Sequence, residues 1–275
     1  MCKNSNLTVL MSLYYKETAS NLVECFNSLL AQTIQATEWV VVEDGPLNDG
    51  LYEVLEEYQN KYPNLIKRVK LEKNVGLGLA LREGVLNCSN EMIARMDTDD
   101  ICVPERFEKE LEMFENNPDL DVCGTYIKEF DGDINNIISE RAVPIKHDDI
   151  VKYQKRRSAL NHMTVMYKKS SVLKSGNYEH APLMEDDLLW TRMILSGCKM
   201  TNIPEYLVYA RTGLNMIGRR GGFSYLKKYK KSRRKVYDLG FISYWDYLVT
   251  LFFQFFVALA PAKLRIFIFI KFLRK

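Results

Sequence analysis

No Cys-x-x-Cys pair occurs in this 275-residue chain; its six cysteines, Cys2, Cys25, Cys88, Cys102, Cys123 and Cys198, stand apart. The three histidines, His147, His162 and His180, are likewise isolated, so neither a zinc site nor a disulfide framework is readable. The N-terminus has one lysine, a short apolar run from Leu7 to Leu13 and no small-residue cleavage site. A secretory signal is therefore not expected, and unpaired thiols fit a reducing cytoplasm. Internal repeats are absent, and the Lys/Arg cluster at 227–235 is the one biased tract. Apolar stretches fall short of the about 20 residues that cross a bilayer. Leu248 to Ala260 contains Gln254 and stops at Pro261, and Leu264 to Leu273 is interrupted by Arg265 and Lys271.

What is present is enough apolar content, 47% against 27% charged, for one large core, which excludes disorder and collagen-like structure. The formal charge of +3 hides an asymmetry. Residues 219–275 hold 14 Lys/Arg against 2 Asp/Glu, which leaves a net −9 on the first 218 residues. An acidic body argues against nucleic acid as the partner, and a basic, aromatic tail suggests a polyanion or an anionic membrane surface.

Apolar runs of strand length alternate with helical spacing. Leu7–Leu13, Trp39–Val42, Ile66–Leu71 and Met92–Met96 read as strands, and Ala19–Gln32, Tyr52–Tyr62 and Leu77–Leu86 as helices. This order predicts an α/β fold with a mainly parallel sheet and helices on both faces. Further on, Phe107–Asn117 reads as a helix, Val122–Phe130 as a strand closed by the turn Asp131-Gly132-Asp133, and Val165–Val172 as another strand and turn. In such sheets ligands bind beyond the carboxyl ends of the strands.

Those ends are acidic. The second strand runs into Glu43-Asp44-Gly45-Pro46 and the fourth into Asp97-Thr98-Asp99-Asp100. Carboxylates one residue apart repel each other unless a cation or donors neutralise them, and oxygen ligands favour a hard ion, Mg²⁺ or Mn²⁺, with a diphosphate as its partner. The plain alternative is a solvated turn in which Asp100 caps the next helix. Glu185-Asp186-Asp187 opens an amphipathic helix that Gly197 stops. These acids either complement the helix dipole or supply a general base at the cleft.

The ordered series Tyr14, Val42-Glu43-Asp44-Gly45, Asn74-x-Gly76, Arg95-x-Asp97-Thr98-Asp99-Asp100, Pro104-x-Arg106 and Glu185-Asp186 with Trp190-x-Arg192 resembles the family 2 glycosyltransferases of GT-A fold. The resemblance covers residues 5 to 215 and implies a nucleotide-sugar-dependent, inverting enzyme. It implies nucleobase contacts at Tyr14 and Asp44, a ribose or diphosphate contact at Asp97, metal ligation at Asp99 and the base at Asp186. One departure is Ala80-Leu81-Arg82, where the family often has Ala-Arg-Asn; Arg82 is kept among the substrate-binding candidates without that part of the pattern. Glu185, His162 of Asn161-His162, Arg211 and the pair Arg219-Arg220 before Gly221-Gly222 complete the substrate-binding candidates, the arginines as forks for phosphate oxygens. Arg192 reads equally as a salt bridge on a helix face.

Within the family, Asp-x-Asp-Asp, Asn161-His162, Glu185-Asp186 and Arg219-Arg220-Gly221-Gly222 together resemble bacterial enzymes that add the second sugar to GlcNAc-diphosphate-undecaprenol in O-antigen synthesis. That implies galactose or glucose from a UDP-sugar donor, a β-1,3 linkage, a lipid-linked sugar diphosphate acceptor and Mn²⁺ or Mg²⁺ as cofactor. The expected organisation is a GT-A catalytic domain over 1–222 and a basic helical tail over 223–275. The tail either lies in the interface of the inner membrane's cytoplasmic side or packs as a soluble hairpin. A non-catalytic nucleotide-sugar or acidic-lipid binding module and a magnesium phosphotransferase are the rival classes.

Overall fold

A computed structural model describes residues 3–213 and 221–268. Its centre is a nine-stranded sheet. Strands β1 (Lys3–Leu13), β2 (Ile34–Glu43), β3 (Ile66–Lys70) and β4 (Met92–Arg95) pair in parallel in the order β3-β2-β1-β4. This is the parallel half that the alternation predicts. Beyond β4 the sheet becomes mixed. The short β8 (Met166–Lys168) runs antiparallel to β4 and to β6 (Leu120–Phe130), β6 pairs in parallel with β9 (Lys199–Arg211), and β5 (Ile101–Cys102) closes the edge against β9. The turn at Asp131–Asp133 returns the chain as β7 (Ile137–Arg141) along β6.

Alternation along β1 sends successive side chains to opposite faces. Leu7, Val9, Met11 and Leu13 enter one core with α1 (Ala19–Leu30), α2 (Asp49–Lys61) and α4 (Arg106–Asn116), where Phe26 meets Trp39 at 5.1 Å between ring centroids. Leu10 joins Val40 and Val42 in a second core beneath α3 (Leu77–Asn87) and α7 (Glu185–Leu195). Helices α5 (His147–Gln154) and α6 (Lys169–Lys174) flank this second layer. Val165–Val172, expected as a strand and a turn, is strand over Met166–Lys168. There Lys169 donates its backbone N–H to the Glu91 carbonyl at 2.7 Å and the chain turns into α6.

The tail is helical: α8 (Gly222–Asp238), α9 (Tyr244–Leu259) and α10 (Ala262–Ile268). Ser243 and Asp246 form a reciprocal capping box at the start of α9. Val236, Ile242 and Tyr247 pack on Ala181, Met184 and Leu188, so α8 and α9 seal the outer side of α7. Polar ties reinforce that seal. Arg156 bonds Asp246 at 2.8 Å, and the buried Arg233 donates to Thr250 Oγ1 at 3.1 Å and to the Lys155 carbonyl. Among the described residues, no helix is long and apolar enough to cross a membrane.

Candidate active site

The chain leaves β4 at Arg95, whose guanidinium is buried and donates to Asp97 Oδ1 at 2.5 Å. The carboxylates of Asp97, Asp99 and Asp100 then converge, with one oxygen from each within 4.8 Å of the others. This loop is fastened from several sides. Arg106 Nη2 donates to the Arg95 carbonyl at 2.9 Å, and Cys25 Sγ lies 3.4 Å from the Asp97 carbonyl. Arg211 Nε reaches the Asp99 carbonyl at 3.0 Å, and its backbone N–H donates to Asp100 Oδ1 at 2.8 Å. Arg106 itself is balanced by Glu110 one helical turn away, at 3.2 Å and equally buried. Losing one partner of such a pair costs about 3–5 kcal/mol.

Burial and crowding make these carboxyls weaker acids. Burial, followed by the charges of Asp97 and Glu17, pushes Asp99 up to about 7. Burial and the neighbouring Asp99 and Asp97 also raise Asp100 well above the ordinary carboxylate range. A divalent cation would relieve both. Three converging carboxylates offer only oxygen donors, the set suited to Mg²⁺ or Mn²⁺.

The first turn of α7 stands across from this loop. Gly78 of α3 permits the approach: a Cβ there would sit 2.6 Å from the Glu179 carbonyl and 3.0 Å from Glu185 Cβ. Leu183, at φ +73°, bends the chain into the helix. Of the three acids in this turn, Asp187 is held by the protein. It accepts from Gln154 Nε2 at 2.8 Å and from the Ser158 hydroxyl, with Arg233 and Arg141 nearby. Among the described residues, Asp186 accepts from its neighbour's backbone N–H and has no side-chain hydrogen-bond partner. Burial and the charges of Asp187 and Glu185 push it up to about 8. Burial likewise raises Glu185.

One cavity of about 420 Å³ is lined by Asp97, Asp99 and Asp100 from one side and by Glu185, Asp186 and Asp187 from the other. The geometry therefore joins two clusters separated by some eighty-five residues of sequence. His162 also lines it, as does Arg211. Arg211 is spent on protein groups, however: besides Asp99, its guanidinium donates to the Gly132 carbonyl at 2.9 Å and to Glu24, and it stacks on Phe130 at 4.6 Å.

Asp44 and Tyr14 lie at the ends of β2 and β1, outside that cavity. Asp44 is buried and grips the Asn74-x-Gly76 loop, accepting from Val75 N at 2.7 Å, Asn74 Nδ2 at 3.0 Å and Gly76 N at 3.1 Å. Gly45, at φ +84°, is required there because a Cβ would meet Asn74 N at 2.6 Å. Tyr14 is exposed beside Tyr15. Arg82 is an exposed residue of α3, and its carbonyl accepts from Asn177 Nδ2 at 3.1 Å. Arg192 pairs with Glu179 and the Asn177 carbonyl, the salt-bridge reading. Arg219 and Arg220 lie outside the described residues.

Several groups were not singled out from the sequence. Glu129, Arg141, Ser158, Thr212 and Tyr225 also line the cavity. Arg95 lies beneath it as the buried counter-charge to Asp97. The Arg-x-Asp spacing was the available signal for Arg95; nothing local marks the others, which come from distant strands and from α8.

The glycosyl transferase family 2 profile matches residues 8–174. An uncharacterized glycosyltransferase of Haemophilus influenzae is 43% identical over 98% of this chain and 99% of its own length. The Escherichia coli UDP-Gal:alpha-D-GlcNAc-diphosphoundecaprenol beta-1,3-galactosyltransferase is 33% identical over 98% of this chain and 96% of its own. Among solved structures, Staphylococcus aureus TarS superposes with a TM-score of 0.63 at 18% identity, over 84% of this chain and 39% of that one. The Pyrobaculum calidifontis mannosyltransferase PcManGT, solved with GDP-Man and Mn²⁺, gives 0.60 at 13% identity over 93% of this chain and 70% of that one. These two neighbours share the GT-A architecture of this fold. By sequence match and by fold, the chain belongs to glycosyl transferase family 2.

Proposed function

We propose that the enzyme moves a hexose, galactose or glucose, from a UDP-sugar to a lipid-linked sugar diphosphate, inverting the anomeric centre to a β linkage during bacterial surface polysaccharide (O-antigen) synthesis. The observation that carries this reading is the shared cavity. Asp186, a carboxylate without a side-chain partner among the described residues, shares a cavity of about 420 Å³ with the acidic loop. Asp97, Asp99 and Asp100 would hold Mn²⁺ or Mg²⁺, Asp99 chief among them. When bound, that ion neutralises charge gathering on the departing diphosphate. The other work falls to the chain. Asp186 takes the proton of the attacking hydroxyl, and Asp97, Tyr14 and Asp44 place the ribose and base of UDP at the carboxyl edge of the parallel strands. The 33% identical E. coli relative, whose name specifies UDP-Gal and GlcNAc-diphosphoundecaprenol, supports the choice of donor and acceptor class. The test is a panel of UDP-sugars with Mn²⁺ and a GlcNAc-diphosphate-lipid analogue. Transfer from UDP-galactose or UDP-glucose is expected; turnover of neither would refute the reading.

The same reading places the enzyme on the cytoplasmic side of the inner membrane, held peripherally by residues 223–275. Lys227, Lys228, Lys230, Lys231 and Arg234 are exposed on α8, and Trp245, Phe252, Phe253 and Phe256 are exposed on α9. Each basic residue near an anionic surface contributes on the order of 1 kcal/mol, and aromatic insertion adds to that. Because α8 seals α7, deleting the tail would unsettle the catalytic body, so point substitution is the cleaner test. Full-length protein should float with anionic vesicles at low salt, and combining Trp245→Ser, Phe252→Ser and Phe256→Ser should leave it at the bottom of the gradient. Wild-type protein that fails to float would favour the soluble-hairpin arrangement.

A further inference from the structure

We infer that Tyr178 sets the tautomer of His162, so that this imidazole presents Nδ1–H as a fixed hydrogen-bond donor to an oxygen of the acceptor sugar. The inference rests on the reading of the cavity as an acceptor site. His162 sits in the short 3₁₀ turn His162–Thr164 before β8, with Asn161 anchored by Nδ2 to the Thr125 carbonyl at 2.7 Å. Its Nε2 lies 2.9 Å from the Tyr178 hydroxyl. The ring plane is fixed by Tyr178 at 5.6 Å and by an edge-on Trp190 at 6.0 Å. Nε2 is thus committed inward. Among the described residues Nδ1 meets no protein partner, and it is not among the sealed polar atoms, so it opens to the cavity that His162 lines.

Proton counting chooses the tautomer. The Tyr178 side chain is fully buried, and among the described residues its hydroxyl has His162 Nε2 as its hydrogen-bond partner. If His162 carries its proton on Nδ1, Tyr178 donates to Nε2 and the hydroxyl proton is placed. If the proton sits on Nε2, Tyr178 must accept, and its own proton is left with no acceptor at hydrogen-bond distance among the described residues. An orphaned buried donor is the costlier state, so the Nδ1–H form prevails. Burial and the nearby Arg95 push the imidazole well below its ordinary range, which keeps the ring neutral. A ring fixed this way offers the acceptor a donor and no basic nitrogen, which leaves proton removal to Asp186. Tyr178 is then a positioning residue that acts through His162.

The measurement is a long-range ¹H–¹⁵N correlation on histidine-labelled full-length protein, with the His162 signals assigned from their loss in His162→Gln. A pyrrole-type Nδ1 and a pyridine-type Nε2 are expected in the wild type, and the Nε2–H form should gain population in Tyr178→Phe. In kinetics, Tyr178→Phe should raise the acceptor KM about three- to tenfold, as loss of one neutral hydrogen bond implies, with UDP affinity unchanged. His162→Asn, whose amide N–H mimics Nδ1–H, should retain more acceptor affinity than His162→Gln, whose amide reaches toward Nε2. A wild-type Nε2–H spectrum overturns the inference, as does a Tyr178→Phe protein with unchanged tautomer and unchanged acceptor KM. Absence of transfer by the wild type would instead count against the proposed function, because the spectrum reports the tautomer without turnover.

Discussion

Asp186→Asn is expected to lower transfer by about 10²- to 10⁴-fold while UDP binding survives, because the amide keeps the size and polarity of the side chain and loses its basicity. The structure sharpens the choice among the three acids of α7. Asp187 is occupied by Gln154 and Ser158 and faced by Arg233 and Arg141, so its charge is balanced inside the protein. Asp187→Asn should therefore act mainly on stability. A pH profile separates the two. Asp186 is held up at about 8 by burial and by its acidic neighbours. A base must be ionised to act, so kcat/KM should rise with pH through the neutral range and level off above that value. A divalent cation in the same cavity favours the carboxylate, and raising Mn²⁺ should move the rising limb toward lower pH. If Asp187→Asn proves inactive and Asp186→Asn keeps both its rate and its rising limb, the base has been assigned to the wrong residue.

The second large effect is expected at the loop after β4. Asp99→Ala should remove metal-dependent UDP binding and lower transfer on the order of 10³-fold, since cation stabilisation of a leaving diphosphate is worth several kcal/mol. The fold should persist: the loop backbone is held through the Arg95, Asp97 and Asp99 carbonyls, and none of those bonds uses the Asp99 side chain. Isothermal titration of UDP with and without Mn²⁺ decides the point. Equal UDP affinity with and without the ion in the wild type, or an Asp99→Ala protein that still transfers sugar in EDTA, would remove Asp99 from the metal site.

Much of this was legible in the sequence for physical reasons. Buried parallel strands are short apolar runs bounded by turns, so β1 to β4 and their acidic exits could be read directly. The strand β9 could not. Pro204 and Glu205 interrupt its alternation, and its pairing with β6 shifts register between Thr125 and Tyr126. Missing β9 also hid why Arg211 matters: as the last residue of that strand it reaches back to Asp99 and Asp100. The ambiguity between Asp186 and Asp187 is of the same kind, because adjacent acids on one helix turn are told apart only by what packs against them. Arg95 illustrates a third limit. Its place in the Arg95-x-Asp97 series could be read, but its burial as the counter-charge to Asp97 shows only once the sheet closes over it.

The fastening of the acidic loop bears on how the enzyme would complete a cycle. Arg106 holds the Arg95 carbonyl and lies at 3.3 Å from Met96 Sδ and 3.2 Å from Cys102 Sγ, Cys25 lies against the Asp97 carbonyl, and Arg211 ties down Asp99 and Asp100. Every one of these bonds is protein to protein. Under the proposed function, a divalent cation would meet carboxylates whose backbone the protein already holds in place. The loop resembles a socket more than a clasp. Asp97, Asp99 and Asp100 would then hold such an ion without the loop having to fold around it.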